Sequence, residues 1–231
     1  MLKRINSIDV EFEKEKEVFC EFKEMVILMM KFQKYINLPQ DIGRYDASMS
    51  WIEGAIGSKL TKSYLESILK DSGANTGMFG TFLVTKDQHI DISTLIHHLA
   101  PNTTADLLIN GALKDRSRSV FQGMIKIAKN AQQTNSYMGN HNLILSDKAR
   151  ADSIPRLEIE ADNVRATHGV SIGQIDEEQL FYLMSRGISL EESKDMIVDG
   201  LFEAVLQKIK TDDVKKALRD FVKGKKDHDK N

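Results

Sequence analysis

The residues of this 231-residue chain best suited to metal or acid–base chemistry are six histidines, one cysteine and a short acidic row. His97 and His98 follow an apolar run, and neighbours on a strand point to opposite faces, so they form a poor chelating pair. We expect one to face inward and the other to face solvent. His168 precedes a glycine near the end of a β-rich region, where a neutral imidazole can coordinate iron. On the residues alone, a purely structural role for His168 remains open.

The acidic row consists of Glu158, Glu160 and Asp162, which share one face of a predicted strand. Clustered acids occur in β-helical enzymes that cleave polysaccharides, but the same alternation is typical of a solvated strand face, which we favour. The chain has no phosphate-binding loop, because the string from Gly54 to Lys59 lacks the required glycine spacing. It also has no nucleophile elbow and no zinc-protease helix. We therefore predict that the chain is not an enzyme and that a partner supplies any ATP hydrolysis.

Charge and cysteine content restrict the partners and the compartment. The chain carries 32 basic and 34 acidic residues, so its net charge of -2 favours neither nucleic acid nor an anionic membrane surface. The single cysteine, Cys20, excludes an internal disulfide and is typical of a reducing cytosol. The apolar run from Met25 to Met30 is too short to span a bilayer. We therefore predict a cytoplasmic protein that binds neither nucleic acid nor membrane.

Helical spacing dominates the first third of the sequence. Between about residues 11 and 38, charged residues give way to apolar residues at roughly helical intervals, and Pro39 ends the pattern. The stretch from Leu60 to Lys70 is predicted to be a short helix that ends at a turn. We therefore assign residues 1–76 to an N-terminal helical segment.

The middle of the chain, residues 77–175, consists of strand-sized apolar runs separated by Gly, Asn, Asp and Ser. None is followed by the amphipathic helix of a βαβ unit, which leaves a sandwich, a barrel or a parallel β-helix. Periodicity alone does not choose among these folds. Residues 176–231 form a predicted C-terminal helical domain, in which Asp176 precedes one helix and Ser189 with Glu192 forms the capping box of the next.

A dense set of short strings runs in order from Ser117 to Ser189. The strings include Ser-Arg-Ser-Val-Phe-Gln-Gly at 117–123, Asn-Leu-Ile-Leu-Ser at 142–146, Ala-Arg-Ala-Asp-Ser-Ile-Pro at 149–155, Thr-His-Gly at 167–169, Asp-Glu-Glu-Gln-Leu-Phe-Tyr at 176–182 and Ser-Arg-Gly-Ile at 185–188. In these strings the chain resembles the C-terminal core of the SufB/SufD family of iron–sulfur cluster assembly proteins. Weaker similarity reaches back to His98 and forward to about Phe202.

The resemblance implies a mainly β fold in which a right-handed parallel β-helix lies between the N-terminal helical segment and the small C-terminal helical domain. It also implies a function, that of a scaffold subunit in a SUF-type iron–sulfur cluster assembly complex. Such a subunit pairs through its β-helix with itself or with a SufB/SufD-like subunit, and its C-terminal helices dock a SufC-like ATPase. We assign Phe181, Tyr182 and Arg186, on the first of these helices, to partner binding.

The resemblance also bears on the cluster site, where the chain is SufD-like. SufB-type proteins carry a functional cysteine after an Asp-Lys pair, and here that position is Ala149. They also have a glutamate after the histidine near the end of the β-helix, where this chain has Gly169. The histidine itself matches, so His168 is the candidate metal and cofactor ligand for a transient iron–sulfur cluster. The alternative is an interaction subunit that stabilises a partner and has lost the cluster-binding chemistry.

Overall fold

Eleven strands followed by three helices make up the described part of the chain, which comprises residues 25–29, 34–42, 46–55 and 59–229 of a computed structural model. The strands are β1 Met25–Met29, β2 Lys34–Ile42, β3 Ser48–Ala55, β4 Leu60–Leu69, β5 Asn75–Val84, β6 His89–His98, β7 Thr104–Leu113, β8 Arg118–Ile127, β9 Asn135–Ile144, β10 Arg150–Ile159 and β11 Arg165–Gln174. The helices are α1 Glu177–Ser185, α2 Leu190–Leu206 and α3 Asp212–Asp229. None of the described helices combines the length and hydrophobicity needed to cross a bilayer.

The strands wind into a parallel β-helix with two strands in each turn. Odd-numbered strands form one sheet in the order β1-β3-β5-β7-β9-β11, and even-numbered strands form the other in the order β10-β8-β6-β4-β2. All the described pairings are parallel, and Asn75 of β5 lies opposite Thr104 of β7, which in turn lies opposite Asn135 of β9. Each strand therefore pairs with the strand two places along the chain. This topology confirms the β-helix that the family resemblance implies.

Alternating side chains of each strand fill the space between the two sheets. On β6, alternate residues are buried, namely Ile90, Ile92, Thr94, Ile96 and His98, while the residues that alternate with them are only partly buried. The core is close-packed, because a Cβ added at Gly111 would overlap the ring of Phe82 on the neighbouring strand. The hydrophobic effect of this interior, together with the continuous ladder of backbone hydrogen bonds, stabilises the stack.

The C-terminal helices cover part of the outer face of the odd-strand sheet. Leu206 of α2 and Leu218 of α3 belong to one buried cluster with Phe79 and Leu108, which point outward from β5 and β7. A second cluster joins Phe202 of α2 to outward-facing residues of the same two strands. Asn110 Nδ2 of β7 donates a hydrogen bond to the Leu201 carbonyl within α2 at 2.9 Å. At the start of the same helix, Ser189 forms the predicted capping box with Glu192. The capping-box prediction is thus confirmed.

The helix predicted between residues 11 and 38 is wrong wherever the structure describes it, because Met25–Met29 and Lys34–Ile42 are strands. Residues 11–24 and 30–33 of this prediction lie outside the described residues. A continuous apolar run such as 25–30 suits a strand of a parallel sheet as well as a helix, so its composition does not distinguish the two. The β-helix therefore begins earlier than residue 77, and the division into three domains stays a prediction.

The short helix predicted from Leu60 to Lys70 is also wrong, because Leu60–Leu69 is strand β4. Small polar residues, Thr61, Ser63 and Ser67, occupy inward-facing positions on this strand and are buried. They conceal the alternation of polar and apolar residues that marks a strand. The outward-facing residues Leu60, Tyr64 and Ile68 then stand four apart, which is helical spacing. Pairing with β2 and β6 overrides this local pattern.

Candidate functional site

Within residues 25–29, 34–42, 46–55 and 59–229, the last turn of the β-helix leaves one edge of each sheet unpaired. β10 ends one sheet and β11 ends the other, so both present unpaired backbone groups. The register of β11 on β9 places Val170 and Ile172 on the inward-facing rows that contain the buried Asn140 and Asn142. Here the two side chains are 37% and 45% exposed, since none of the described residues forms a further turn over them. The end of the interior is therefore open and partly apolar.

His168 lies on this same open end. Its register partner on β9 is Met138, which is fully buried, whereas His168 itself is exposed. Among the described residues there is no group of three or more histidine, cysteine, aspartate or glutamate side chains able to hold a metal ion. His168 would therefore supply a single ligand, and the rest of a metal site would come from elsewhere. The role of His168 as a ligand stays a prediction.

Positions 149 and 169, where SufB-type proteins carry a cysteine and a glutamate, have different surroundings in this chain. Ala149 immediately precedes β10, and it packs, partly buried, against the core between the sheets. Gly169 lies on the outer face of β11, where a Cβ would stand 2.9 Å from the hydroxyl oxygen of Tyr137. Tyr137 is 38% exposed on the adjacent strand. A larger residue at position 169 would therefore displace the Tyr137 side chain.

His98 is a structural histidine, as the alternation of strand neighbours predicts. It is completely buried, its Nδ1 lies 2.8 Å from Thr103 Oγ1, and its Nε2 lies 3.2 Å from Ser136 Oγ. Burial lowers the pKa of His98 to about 4, so the ring is neutral at physiological pH. His97 is half-buried on the opposite face, where burial and the nearby Lys126 lower its pKa. The two rings cannot chelate one ion.

The acidic residues face solvent, as predicted, but they do not share one strand face, because β10 ends at Ile159 and both Glu160 and Asp162 follow it. Glu158, Glu160 and Asp162 are all exposed. The Glu158 carboxylate forms an ion pair with Lys126 of the neighbouring strand at 2.6 Å. Cross-strand ion pairs of this kind are ordinary on the surface of a sheet.

Helix α1 has no buried residues. Phe181 is 74% exposed and Tyr182 is 55% exposed, and the Arg186 guanidinium carbon lies 4.5 Å from the centroid of the Tyr182 ring. That distance is typical of a cation–π contact. Helix α2 also carries exposed apolar side chains in its first half. We call this set the α1 surface, and its members are Phe181, Tyr182, Met184, Leu190 and Met196.

Sequence reasoning missed one buried carboxyl group, that of Glu53. It faces inward from β3, is 2% exposed, and neither oxygen has a hydrogen-bond partner among the described residues. Burial raises the pKa of Glu53 to about 7, and the nearby Ser63 hydroxyl counters that rise only in part. The signal was its place between Trp51 and Ala55, whose own burial shows that alternate residues of β3 point inward.

Comparison with known proteins gives a consistent result. A family model described as "SUF system FeS cluster assembly, SufBD core domain" matches residues 35–201. The iron–sulfur cluster assembly protein SufB of Bacillus subtilis is 40% identical over 158 residues, which are 68% of this chain and 34% of that protein. An iron–sulfur cluster assembly SufBD family protein of Staphylococcus saprophyticus is 35% identical, and one of Staphylococcus epidermidis is 34% identical, over the same coverage. The match spans about a third of the length of these relatives.

Proposed function

The chain belongs to the SufB/SufD family, and we propose that it is a scaffold subunit of a SUF-type iron–sulfur cluster assembly complex. In this role it pairs through the open end of its β-helix and docks a SufC-like ATPase through its C-terminal helices. The observation that carries the proposal is the last turn, which no described part of the chain caps and where interior side chains meet solvent beside two strand edges. A solenoid that ends in this way needs either a capping segment or a second subunit.

Pairing at the open end is supported by both hydrogen bonding and hydrophobic burial. β10 and β11 each offer a row of unpaired backbone donors and acceptors. Ile154 and Ile159 of β10 are 40% and 42% exposed and lie at the same end as Val170 and Ile172 of β11. A second copy, or a SufB/SufD-like subunit, would bury these side chains and extend the two sheets at once.

Sedimentation of the purified chain tests the pairing directly. Ile172→Asp places a charge at the interface, and we expect it to shift the sedimentation coefficient from that of a pair to that of a monomer. Leu60 is 43% exposed, on β4, and Leu60→Asp is the matched control that leaves the pair intact. If Ile172→Asp and Leu60→Asp sediment alike, the open end is not the pairing surface.

Docking of an ATPase is supported by the α1 surface. A helix that buries nothing of its own yet exposes two adjacent aromatic side chains has the composition of a protein–protein hot spot. Arg186, held against Tyr182, adds a positive group to the edge of this surface. We assign Phe181, Tyr182 and Arg186 to the contact with a SufC-like ATPase.

Calorimetry with a SufC-like ATPase measures this contact. We expect Phe181→Ala to weaken binding by at least tenfold, which is the usual loss on truncating a central aromatic anchor. Leu99 is 38% exposed just after β6, away from α1, so Leu99→Ala serves as the control and leaves the affinity unchanged. If Phe181→Ala and Leu99→Ala bind the ATPase with equal affinity, α1 is not part of the docking surface.

The iron–sulfur cluster is the cargo of this assembly, and His168 is the group proposed to bind it. One exposed imidazole does not complete a site, and iron–sulfur clusters are usually held by thiolates. A partner subunit would therefore supply the remaining ligands across the open end. Anaerobic reconstitution of the paired complex with iron and sulfide tests this step, and we expect His168→Ala to reduce the iron bound per pair.

The second candidate function is that of an interaction subunit that stabilises a catalytic partner without binding the cluster. The observation in its favour is Ala149, which packs against the core where SufB-type proteins carry a cysteine. This function predicts equal iron and sulfide uptake by the wild-type pair and the His168→Ala pair. The same reconstitution therefore separates the two candidates.

A further inference from the structure

Acidic side chains surround the exposed apolar side chains of the α1 surface. Between residues 176 and 196 the chain carries six acidic residues and two basic ones, whereas over its whole length the two kinds are nearly equal in number. All six acidic residues are exposed except Asp195, which is half-buried. They are Asp176, Glu177, Glu178, Glu191, Glu192 and Asp195. The helices that carry the α1 surface therefore also carry a local excess of negative charge.

Two of these carboxylates lie on the same helix faces as the two aromatic side chains of α1. Residues four apart on an α-helix are neighbours on its surface. Glu177 stands four residues before Phe181, and Glu178 stands four residues before Tyr182. A partner that buries either aromatic ring therefore approaches a carboxylate at the same time.

The basic residues of this region leave the charges of Glu177 and Glu178 uncompensated. Lys194 pairs with Glu191 at 3.5 Å, and the Arg186 guanidinium lies over the Tyr182 ring. Within the described part of the chain, neither Glu177 nor Glu178 forms an ion pair. Exposed charges of one sign attract a surface of the opposite sign over about 10 Å at 0.1 M salt.

We propose that the α1 surface binds a basic face of its partner, namely an apolar pocket that receives Phe181 and is bordered by lysine or arginine side chains opposite Glu177 and Glu178. This inference rests on the docking of a SufC-like ATPase proposed above, and it specifies the chemistry of the ATPase side of that contact. Such an interface has an apolar centre and a charged rim. Charges at the rim act mainly on the association rate, whereas the apolar centre acts mainly on the dissociation rate.

The rate constants for binding of the full-length chain to a SufC-like ATPase, measured by surface plasmon resonance, test the proposal. We expect wild type to associate about tenfold faster at about 0.1 M than at about 1 M NaCl, because the Debye length falls from about 10 to about 3 Å. The double variant Glu177→Gln/Glu178→Gln should reduce this difference to about threefold or less and leave the dissociation rate within about twofold of wild type. Phe181→Ala should instead accelerate dissociation and keep the salt dependence of association.

The matched control removes two carboxylates that lie away from α1. Glu160 and Asp162 are exposed and precede β11, whereas α1 follows the other end of that strand. The ten residues of β11 separate the two places by about 30 Å, which exceeds the Debye length. We expect Glu160→Gln/Asp162→Asn to associate with the wild-type salt dependence.

A gain of charge distinguishes attraction of a partner from stabilisation of the helix. Acidic residues in a first turn also stabilise a helix through its macrodipole, whereas an acidic residue in the last turn destabilises it. Ser185 is exposed in the last turn of α1, four residues after Phe181. We expect Ser185→Glu to associate about twofold faster than wild type at the lower salt concentration. Slower association of this variant would overturn the proposal.

The salt dependence also separates this proposal from the docking on which it rests. A complex that forms at the same rate at both salt concentrations would overturn the basic partner face and leave the docking in place. If no complex forms at all, the docking is wrong and the proposal falls with it. A Glu177→Gln/Glu178→Gln variant that alters pairing between copies of the chain but not binding of the ATPase would show that the surface receives a second copy, which also overturns the proposal.

Discussion

The buried carboxyl of Glu53 predicts how the stability of the β-helix depends on pH. In the folded chain burial raises the pKa of this group to about 7, whereas in the unfolded chain the ordinary value of 4.5 applies. Below pH 4.5 both states carry the proton, so the carboxyl does not favour unfolding. Between pH 4.5 and about 7 the unfolded state ionises first, and the free energy of unfolding falls as the pH rises. Above about pH 7 the free energy of unfolding has fallen by the full amount that this carboxyl group can cause.

The size of the loss follows from the two pKa values. The folded state holds the proton roughly 300-fold more tightly, which corresponds to about 3 kcal/mol at 1.36 kcal/mol for each tenfold change. That is a large part of the total stability of an ordinary domain. Glu53→Gln keeps the size and shape of the side chain but cannot ionise. We therefore expect the difference in unfolding free energy between Glu53→Gln and wild type to grow by about 3 kcal/mol from pH 4.5 to pH 8 in favour of the variant.

Urea denaturation at several pH values between 4.5 and 8 measures this difference. The comparison with wild type cancels the contributions of other titrating groups, including His98. Glu160 is exposed beyond the end of β10, so Glu160→Gln is the control that removes a solvated carboxyl. Parallel stability curves for wild type and Glu53→Gln would refute the reasoning, because they would mean that Glu53 gains or loses its proton equally in both states.

Three further predictions concern the core and the helical domain. The imidazole resonances of His98 should show no titration between pH 8 and pH 5.5, because its buried ring stays neutral there; a midpoint near 6.5 would contradict its burial. Gly111→Val should lower the free energy of unfolding by about 1–3 kcal/mol in thermal denaturation, since the new side chain overlaps Phe82, and adding Phe82→Leu should recover part of that loss. The Asp176 side chain accepts a hydrogen bond from the Glu178 N–H and so caps α1. Asp176→Ala should therefore cost about 1 kcal/mol of local stability, measured as faster amide hydrogen exchange in the first turn of α1. Unchanged exchange rates would show that this cap does not stabilise the helix.

Local patterns predict the strands with regular alternation and the helix starts with polar caps. β6 shows the alternation of a strand, because three of its five inward-facing residues are isoleucines and its one acidic residue, Asp91, faces outward. β4 could not be identified in the same way, since Thr61, Ser63 and Ser67 fill inward positions that a local pattern would assign to solvent. The parallel arrangement of the strands is invisible to periodicity. It followed from the family resemblance.

The candidate site was predicted only in part, because local sequence patterns do not show how neighbouring strands are aligned. His168 was identified from its place in a short string, but its position on an inward-facing row depends on the register of β11 with β9. Register is set by the lengths of the turns, and these vary, because Leu60 pairs 29 residues ahead with His89 whereas Arg118 pairs 32 residues ahead with Arg150. The sequence alone does not show this register. The burial of Glu53 has a local signal instead, because Glu53 stands two residues from both Trp51 and Ala55 and therefore shares their face of β3.

The native mass of the complex formed with a SufC-like ATPase tests the scaffold function most directly. Wild-type chain, mixed with the ATPase and analysed by light scattering during size exclusion, is predicted to elute in one peak that contains the ATPase and a pair of β-helical subunits. Ile172→Asp should lose the pairing and keep the ATPase, and Phe181→Ala should do the reverse. A wild-type chain that elutes alone as a monomer, both with the ATPase and with a SufB/SufD-like subunit present, would contradict the proposed function.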